Sequence, residues 1–192
     1  MARPQSFDTA EALHSALAVF WEKGFEATSL PDILKATGLS KSSLYATFGS
    51  KRELFLKAFD SYRKNRVREM EAILGNGPGR DAIETFFGKV VDDATSRSFR
   101  NGCMSTNQAI ELAPADPEVR DRVCSDFKLI EAALRQAIVR GQEDGSIGSV
   151  RDAALLAQQL TVGFPGVQVL VRAGVEGPKL RELLTSILSC LD

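Results

Sequence analysis

The chain has 192 residues, 44% of them hydrophobic, and a formal net charge of −1. This length and apolar content suffice to bury a sizeable core, either in one compact unit or in a small head on a larger body. Three widely spaced cysteines, an odd number, argue against a disulfide scaffold, and no positively charged segment followed by an apolar stretch opens the sequence. We therefore expect a cytoplasmic protein without a secretory signal.

The first predicted helix runs from about Asp8 to a stop at Gly24. Apolar side chains recur along it at the spacing that puts them on one face: Leu13, Ala16, Leu17, Phe20 and Trp21. We expect this face to support the two short helices that follow.

Residues 28–51 contain the start and stop signals of two short helices joined by a tight turn. Ser29 can cap the first helix, with Pro31 in its first turn and Asp32 placed to bond back to the cap. Gly38 supplies the positive φ of a helix end, and Ser40 caps the second helix after a single intervening residue. So short a connection forces the helices to cross steeply, which predicts a helix-turn-helix.

The second of these helices has the side chains expected of an element that reads DNA. Leu44 and Phe48 share one face at i, i+4 spacing, and we predict that they are buried. The rest of the helix surface carries hydroxyls, a phenol and a positive charge, which suit base edges and phosphates in a groove. The residues concerned are Lys41, Ser42, Ser43, Tyr45 and Thr47.

With a helix before it and Glu53-Leu54-Phe55 after it, this region resembles the N-terminal domain of TetR/AcrR-type transcriptional regulators. Ser42-Ser43, Thr47 and Arg52 depart from the usual wording of that family, and these changes bear on the operator sequence rather than on the fold. The matching positions are Thr28-Ser29, Asp32-Ile33-Leu34, Gly38-Leu39-Ser40-Lys41, Leu44-Tyr45, Phe48 and Ser50-Lys51.

The resemblance implies different roles within a DNA-binding set. Thr28, Tyr45 and Lys51 are its phosphate anchors, although the residues alone leave open that Tyr45 is partly core, with its hydroxyl reaching solvent. The other members are the candidates for base contact, Ser42, Ser43 and Thr47, and three residues that begin the two helices, Ser29, Ser40 and Lys41.

The average charge hides an asymmetry along the chain. Residues 35–68 contain nine basic against two acidic side chains, a local balance of +7 that suits a phosphate footprint. We expect Lys41 and Lys51 to contact phosphate. The basic side chains of residues 63–68 lie several turns past the motif, and we interpret them as a solvated helix face.

Beyond residue 50, a capping box at Ser50 and Glu53 opens a long connecting helix, and residues 75–79 give the clearest loop signal. Three more helices are predicted within residues 83–145, and no stretch shows sustained period-two alternation. We predict an all-α fold of about nine helices. Its domains are a three-helix DNA-binding head at residues 1–50 and a body at residues 51–192, to which the resemblance assigns ligand binding and dimerisation.

Residues 153–171 contain no charged side chain, and their length alone would allow a membrane span. Several polar residues argue against a span, among them Gln158, Gln159 and Gln168. The segment is then either one buried core helix or a helix covered on one side by its own domain and on the other by a second subunit. The final helix favours the second alternative, because its apolar stripe from Leu180 to Leu191 would complete a four-helix dimer interface of the kind that family members form.

The resemblance also implies a small-molecule inducer that binds among the middle helices and moves the heads apart. The candidate lining is an apolar wall with one amide for orientation, although most of its phenylalanines fit a plain core role equally well. The candidates are Phe86, Phe87, Met104, Asn107, Phe127 and Phe164.

Cys103 lies near a predicted helix start and follows Arg97, Arg100 and Gly102, so the helix end and the guanidinium groups would favour its thiolate. The wording Gly102-Cys103-Met104 resembles a segment of some TetR-type sensors of electrophiles and oxidants, in which this cysteine reacts. The alternative is a small buried hydrophobe with an inert thiol. The other two cysteines lie on predicted apolar faces and are expected to be structural: Cys124 and Cys190.

The sequence disfavours an enzyme or a metal site. His14 is the only histidine and falls inside the first helix, no phosphate-cradling glycine loop is present, and the cysteines are not spaced as metal ligands.

We expect a ligand- or redox-responsive transcriptional regulator without a cofactor, which the resemblance implies is a repressor. It would bind a near-palindromic double-stranded operator as a homodimer and be released by an inducer or by modification of Cys103. The rival interpretation is a helical adaptor that keeps the motif as scaffold and binds no DNA.

Overall fold

The computed structural model describes residues 8–95 and 101–192 of the chain. Within these ranges the secondary structure is entirely helical, which confirms the all-α prediction. The helices are α1 (Thr9–Lys23), α2 (Leu30–Thr37), α3 (Lys41–Phe48), α4 (Lys51–Leu74), α5 (Gly79–Thr95), α6 (Met104–Glu111), α7 (Pro117–Asp144), α8 (Ala153–Arg172) and α9 (Gly177–Leu188), followed by a single 3-10 turn (Ser189–Leu191).

The chain divides into two compact units, Met1–Asn65 and Arg66–Asp192, and the division falls inside α4. The domain boundary predicted at residues 50/51 lies at the start of that helix instead. As a boundary between functional domains it stays a prediction.

The first unit has a core of aromatic rings. Phe20 of α1 and Phe55 of α4 are fully buried, with ring centroids 5.3 Å apart in an edge-on arrangement. Phe25, from the turn after α1, packs on Phe55 at 5.0 Å. Trp21 meets Tyr62 at 5.1 Å, again edge-on. Such edge-to-face geometry is the one that aromatic quadrupoles favour, and it fixes α1 against α4.

Local signals set the helix ends of the first unit as predicted. The Ser29 hydroxyl accepts a hydrogen bond from the Asp32 backbone N–H, and the Asp32 carboxylate accepts one from the Ser29 N–H, which completes the capping box. Gly38 ends α2 in the left-handed region, with φ 68°. Ser40 accepts from the Ser43 N–H and so begins α3, while Leu44 and Phe48 are buried.

The second unit is built around α7 and α8, against which α5, α6 and α9 pack. Gly79, the first residue of α5, is buried against α7, and a Cβ added there would overlap the backbone of Ala137 and Gly141. The Gly79 N–H also donates to the Asp144 carboxylate at 3.1 Å. The loop predicted at residues 75–79 therefore ends in a glycine because two helix backbones nearly touch.

Helix α8 is the one helix in the described ranges whose length and hydropathy would allow it to cross a membrane. Seven of its residues are buried in the core of the second unit: Leu156, Ala157, Leu160, Phe164, Val167, Gln168 and Val171.

Candidate DNA-binding surface and sensor segment

The turn between α1 and α2 is closed by Thr28, one of the predicted phosphate anchors. Only 1% of this residue is exposed, and its hydroxyl donates to the Gly24 carbonyl at 2.5 Å. Its backbone N–H donates to the Phe25 carbonyl at 3.3 Å. A phosphate contact from the Thr28 side chain stays a prediction, and it would require the hydroxyl to leave its internal partner.

Ser29 is engaged by Asp32, which in turn forms an ion pair with Lys23. The Lys23 ammonium lies 2.6 Å from one Asp32 carboxylate oxygen, and the Ser29 hydroxyl donates to the other at 2.6 Å. The hydrogen bond from Lys23, followed by those from Ser29, holds the pKa of the Asp32 carboxyl well below its ordinary value of 3.8. Asp32 thus stays ionised and paired at the N-terminus of α2, where negative charge is also favoured by the helix dipole.

Helix α3 presents a row of connected hydroxyls. The Ser40 hydroxyl lies 3.0 Å from that of Ser42 and donates to that of Ser43 at 2.9 Å. Ser40, Lys41 and Ser42 are exposed, whereas Ser43 is half-buried. Hydroxyl groups that both donate and accept can adapt to either kind of base edge.

Tyr45 and Thr47 lie farther along α3. Tyr45 is 40% exposed, so its phenol reaches solvent while the rest of the residue is covered, and its phosphate contact stays a prediction. Thr47 is half-buried. Leu44 and Phe48 are turned inward as predicted from the periodicity of α3, and Lys41, Ser42 and Tyr45 are exposed.

Lys51, the first residue of α4, is half-buried, and its ammonium lies over the Phe25 ring, 4.4 Å from the centroid. The sequence analysis did not select Phe25. The sequence does show an aromatic residue directly after Gly24, the glycine that ends α1. That this ring pairs with Lys51 could not be read from the sequence, because the pairing depends on how α4 packs beside the turn.

The predicted inducer-binding residues separate into a ring cluster and a group near α6. Phe86 stacks on Phe164 at 5.5 Å and meets Phe87 edge-on at 5.4 Å, and all three rings belong to the main core of the second unit. Phe127 is half-buried against the same core, and Met104 is fully buried. The three rings lie together in this core, and their role in lining an inducer pocket stays a prediction.

Cys103 immediately precedes α6, which confirms the predicted helix start, and its side chain is half-buried against the core. Gly102 before it has φ 70°, and a Cβ there would lie 2.7 Å from the Gln168 carbonyl oxygen of α8. The Arg172 guanidinium and the Asn107 amide both donate to the Asn101 carbonyl, at 3.1 and 3.0 Å. The segment is thus fastened to α6 and α8. Two residues invoked for its thiolate lie outside the described residues: Arg97 and Arg100.

The prediction for Cys124 is wrong. Val123 is buried, so the next residue of α7 is turned about 100° away, and Cys124 is exposed rather than part of an apolar face. Cys190 is half-buried, and desolvation raises the pKa of its thiol, as expected of a structural cysteine.

Helix α6 turns polar side chains inward, a feature that the sequence analysis missed. The Ser105 hydroxyl donates to the Asp126 carboxylate at 2.7 Å, and both residues are buried. The Thr106 hydroxyl and the Gln108 side-chain carbonyl oxygen are also buried, with no hydrogen-bond partner among the described residues. The signal was a run of four polar residues at 105–108 inside a predicted helix. Buried polar atoms of this kind are uncommon and call for a partner.

A buried apolar face on α3, an outward row of hydroxyls and lysine, and a separate helical unit together define a helix-turn-helix protein with a helical C-terminal domain. Comparison with known families gives the same class. Residues 12–58 match the model of bacterial regulatory proteins of the tetR family, and residues 79–186 match that of the tetracyclin repressor-like C-terminal domain. The chain belongs to the TetR family of transcriptional regulators, which confirms the resemblance.

Individual relatives agree with this assignment. The HTH-type transcriptional regulator YezE of Bacillus subtilis, itself uncharacterised, is 33% identical over 194 residues, with both chains fully covered. The HTH-type transcriptional repressor ComR of Escherichia coli K12 is 31% identical over 94% of this chain and 87% of its own. A cysteine-substituted form of the regulator CifR, solved with 26-bp double-strand operator DNA, superposes with TM-score 0.87 at 29% identity, covering 99% of this chain and 100% of that one.

Proposed function

We propose that this TetR-family regulator is a cytoplasmic repressor that binds a near-palindromic operator as a homodimer through α3. The observation that carries the proposal is the division of α3 into a buried apolar face and an outward row of Ser42, Tyr45 and Lys41. Lys41 and Lys51 would supply phosphate contacts, and the hydroxyls of α3 would contact bases. Two proteins similar to this chain support the proposal. ComR is named a repressor, and CifR was solved in complex with operator DNA.

The dimer in this proposal uses the outward face of α8. Leu155, Val162 and Val169 follow one another at seven-residue intervals along the helix and are all exposed, Val162 to 78%. Side chains at this spacing form one stripe. A stripe of three large apolar residues on a helix that carries no charge before Arg172 favours cover by a second copy. Helix α9 packs beside α8, so two copies would bring four helices together. A two-fold dimer could then place its α3 helices in successive major grooves, ~34–36 Å apart.

The inducer would act on the second unit. A small molecule that shifts the protein from its DNA-binding state must bind the other state better, and it can shift the equilibrium only by that difference. The unpartnered Thr106 hydroxyl and Gln108 oxygen, close in sequence to Met104 and Asn107, favour an inducer that donates hydrogen bonds. Modification of Cys103 is the alternative trigger, since its segment is fastened to both α6 and α8.

The test is a selection of fragments from the source genome by the purified protein, with the retained DNA sequenced before and after mild oxidant. We expect retention of a near-palindromic site. Loss of that site after oxidant, with wild-type behaviour for Cys124→Ser and continued retention for Cys103→Ser, would support a thiol switch. Cys124 is the matched control because it is exposed and lies in α7, whereas Cys103 lies just before α6.

Retention that oxidant leaves unchanged would reject the thiol switch and favour a reversible inducer. If Cys103→Ser still releases DNA on treatment with quinones, aldehydes or hypochlorite, the sensor role is wrong. A correctly folded protein that retains no site under either condition would favour the adaptor interpretation.

A further inference from the structure

The Phe25 ring is held rigidly at the edge of the first unit. One neighbour is Phe55, at 5.0 Å and 61°, and another is Phe20, stacked at 6.1 Å. Both of these rings are almost completely buried. The turn that carries Phe25 is closed by the buried Thr28 hydroxyl on the Gly24 carbonyl. Phe25 therefore has little freedom to move away from what lies over it.

The group over this ring is the Lys51 ammonium, 4.4 Å from the ring centroid. That distance is well within the range in which a cation is attracted to the negative face of an aromatic ring. Lys51 is also the first residue of α4, where the helix dipole presents its positive end and disfavours a cation. The Phe25 ring therefore attracts the Lys51 ammonium at a position where the dipole of α4 repels it.

An ammonium group has three N–H donors, and a ring face engages only one side of it. The other donors remain directed away from Phe25 and suit a phosphate oxygen. A lysine without such a support samples many rotamers, and ordering it on contact with DNA costs conformational entropy. A ring that already restricts the side chain lowers that cost.

We propose that Phe25 is a positioning residue for DNA binding, because its ring holds the Lys51 ammonium where it can meet a DNA phosphate. The inference rests on the proposed function, in which Lys51 is a phosphate contact. Phe25 itself would touch no DNA in this arrangement. It acts through Lys51, so its effect on DNA affinity should depend on whether Lys51 is present.

The experiment is a double-mutant cycle on the full-length protein, with Phe25→Leu, Lys51→Ala and the double variant. The probes are a duplex selected from a random library by the wild-type protein and an unrelated duplex of equal length, each titrated across a series of salt concentrations. Lys51→Ala should weaken binding to both duplexes alike and lower the salt slope by about 1. Phe25→Leu should weaken binding about threefold and move the slope towards that of Lys51→Ala. In the Lys51→Ala background, Phe25→Leu should have no further effect.

Two controls separate positioning from packing. Phe25→Tyr keeps an aromatic face and should bind DNA with the wild-type salt slope. Phe59→Leu alters the same core at a fully buried ring that stacks on Phe55, and its effect should be the same with or without Lys51. In the unmodified protein, the Lys51 ε-methylene protons should show an upfield ring-current shift in NMR spectra, a measurement that does not depend on any variant folding.

Equal effects of Phe25→Leu in both backgrounds with an unchanged salt slope would overturn the inference, as would the absence of the ring-current shift. An unchanged slope for Lys51→Ala in a protein that binds DNA would also overturn it, while leaving the regulator intact. Salt-independent behaviour or no binding of either duplex by folded wild-type protein would instead reject the proposed function, and the inference with it.

Discussion

Asp32 makes the stability of the first unit depend on pH in the acid range. Its carboxylate accepts hydrogen bonds from Lys23 and Ser29, which hold its pKa below the ordinary 3.8. A carboxyl whose pKa is depressed by folding contributes stability above its unfolded pKa, and that contribution is lost as the pH falls through the folded pKa. We expect Asp32→Asn to lower the free energy of unfolding at neutral pH and to match the wild type more closely as the pH falls below 3.8.

Urea unfolding of the two proteins at a series of pH values would measure this difference. Lys23→Ala should reproduce part of the loss at neutral pH, because it removes the largest cause of the shift. A difference between wild type and Asp32→Asn that stays constant down to strongly acid pH would contradict the account.

Substitution of Thr47 tests whether the α3 side chains contact base edges. Thr47→Ala should change the preference at one or two base pairs of the operator, because a side chain that contacts base edges discriminates at few positions. Selection from a randomised operator library would show the change. Thr37→Ala is the matched control, since its hydroxyl donates to the Ile33 carbonyl within α2, and it should leave the preferred sequence as it is. An identical preference for all three proteins would remove Thr47 from the base-contacting set.

At the scale of single residues, the sequence predicted what local chemistry decides. Ser29, Gly38 and Ser40 act as caps because their partners lie within a few residues along the chain. The burial of Thr28 and the position of Lys51 over Phe25 depend on a turn and two helices packing together, and no short window of sequence contains that information.

Replacing either of two glycines of α5 by alanine should change the stability of the second unit, in opposite directions. Gly79→Ala would place a methyl group against the backbone of Ala137 and Gly141, which cannot yield as a side chain can. We expect it to lower the stability of the second unit by about 1–3 kcal/mol. A Cβ on Gly88 would meet nothing within 4 Å, and Gly88→Ala should raise stability by about 0.5–1 kcal/mol through helix propensity alone.

Thermal and urea unfolding of both variants would measure the two changes. Similar stabilities for Gly79→Ala and Gly88→Ala would show that the crossing of α5 and α7 tolerates a side chain.

The order and number of helices followed from periodicity and end signals, as with Asp116, which caps α7, and Gly145, which ends it at φ 78°. The side chains that each helix turns towards the core were harder to predict. The inward polar side chains of α6 and the outward thiol of Cys124 both depend on which face of α7 is covered by the neighbouring helices. The roles of Phe86, Phe87 and Phe164 could not be settled from sequence, because core and pocket use the same residue types.

For the molecule as a whole, the central prediction concerns the outward stripe of α8. Val162→Glu puts a charge in the middle of the surface that a second copy would cover, so burying it would require desolvation of an unpaired carboxylate. We expect a monomer in sedimentation velocity and a large loss of operator affinity, since one α3 helix then contacts one half-site.

Val150→Glu is the control for this experiment. Val150 is 98% exposed and lies between α7 and α8, off the stripe, and its variant should keep the mass and the DNA affinity of the wild type. A dimer of unchanged stability for Val162→Glu would place the interface elsewhere.

The contact between Trp21 and Tyr62 has a practical consequence for following the two units. Trp21 is the chain's only tryptophan and lies in the first unit, largely buried at the ring of Tyr62. Its intrinsic fluorescence therefore reports the first unit alone, whereas far-ultraviolet circular dichroism is dominated by the many helices of the second unit. Superimposable transitions from the two signals would mean that both units melt as one; an earlier fluorescence change would mean that the head loosens while the body persists.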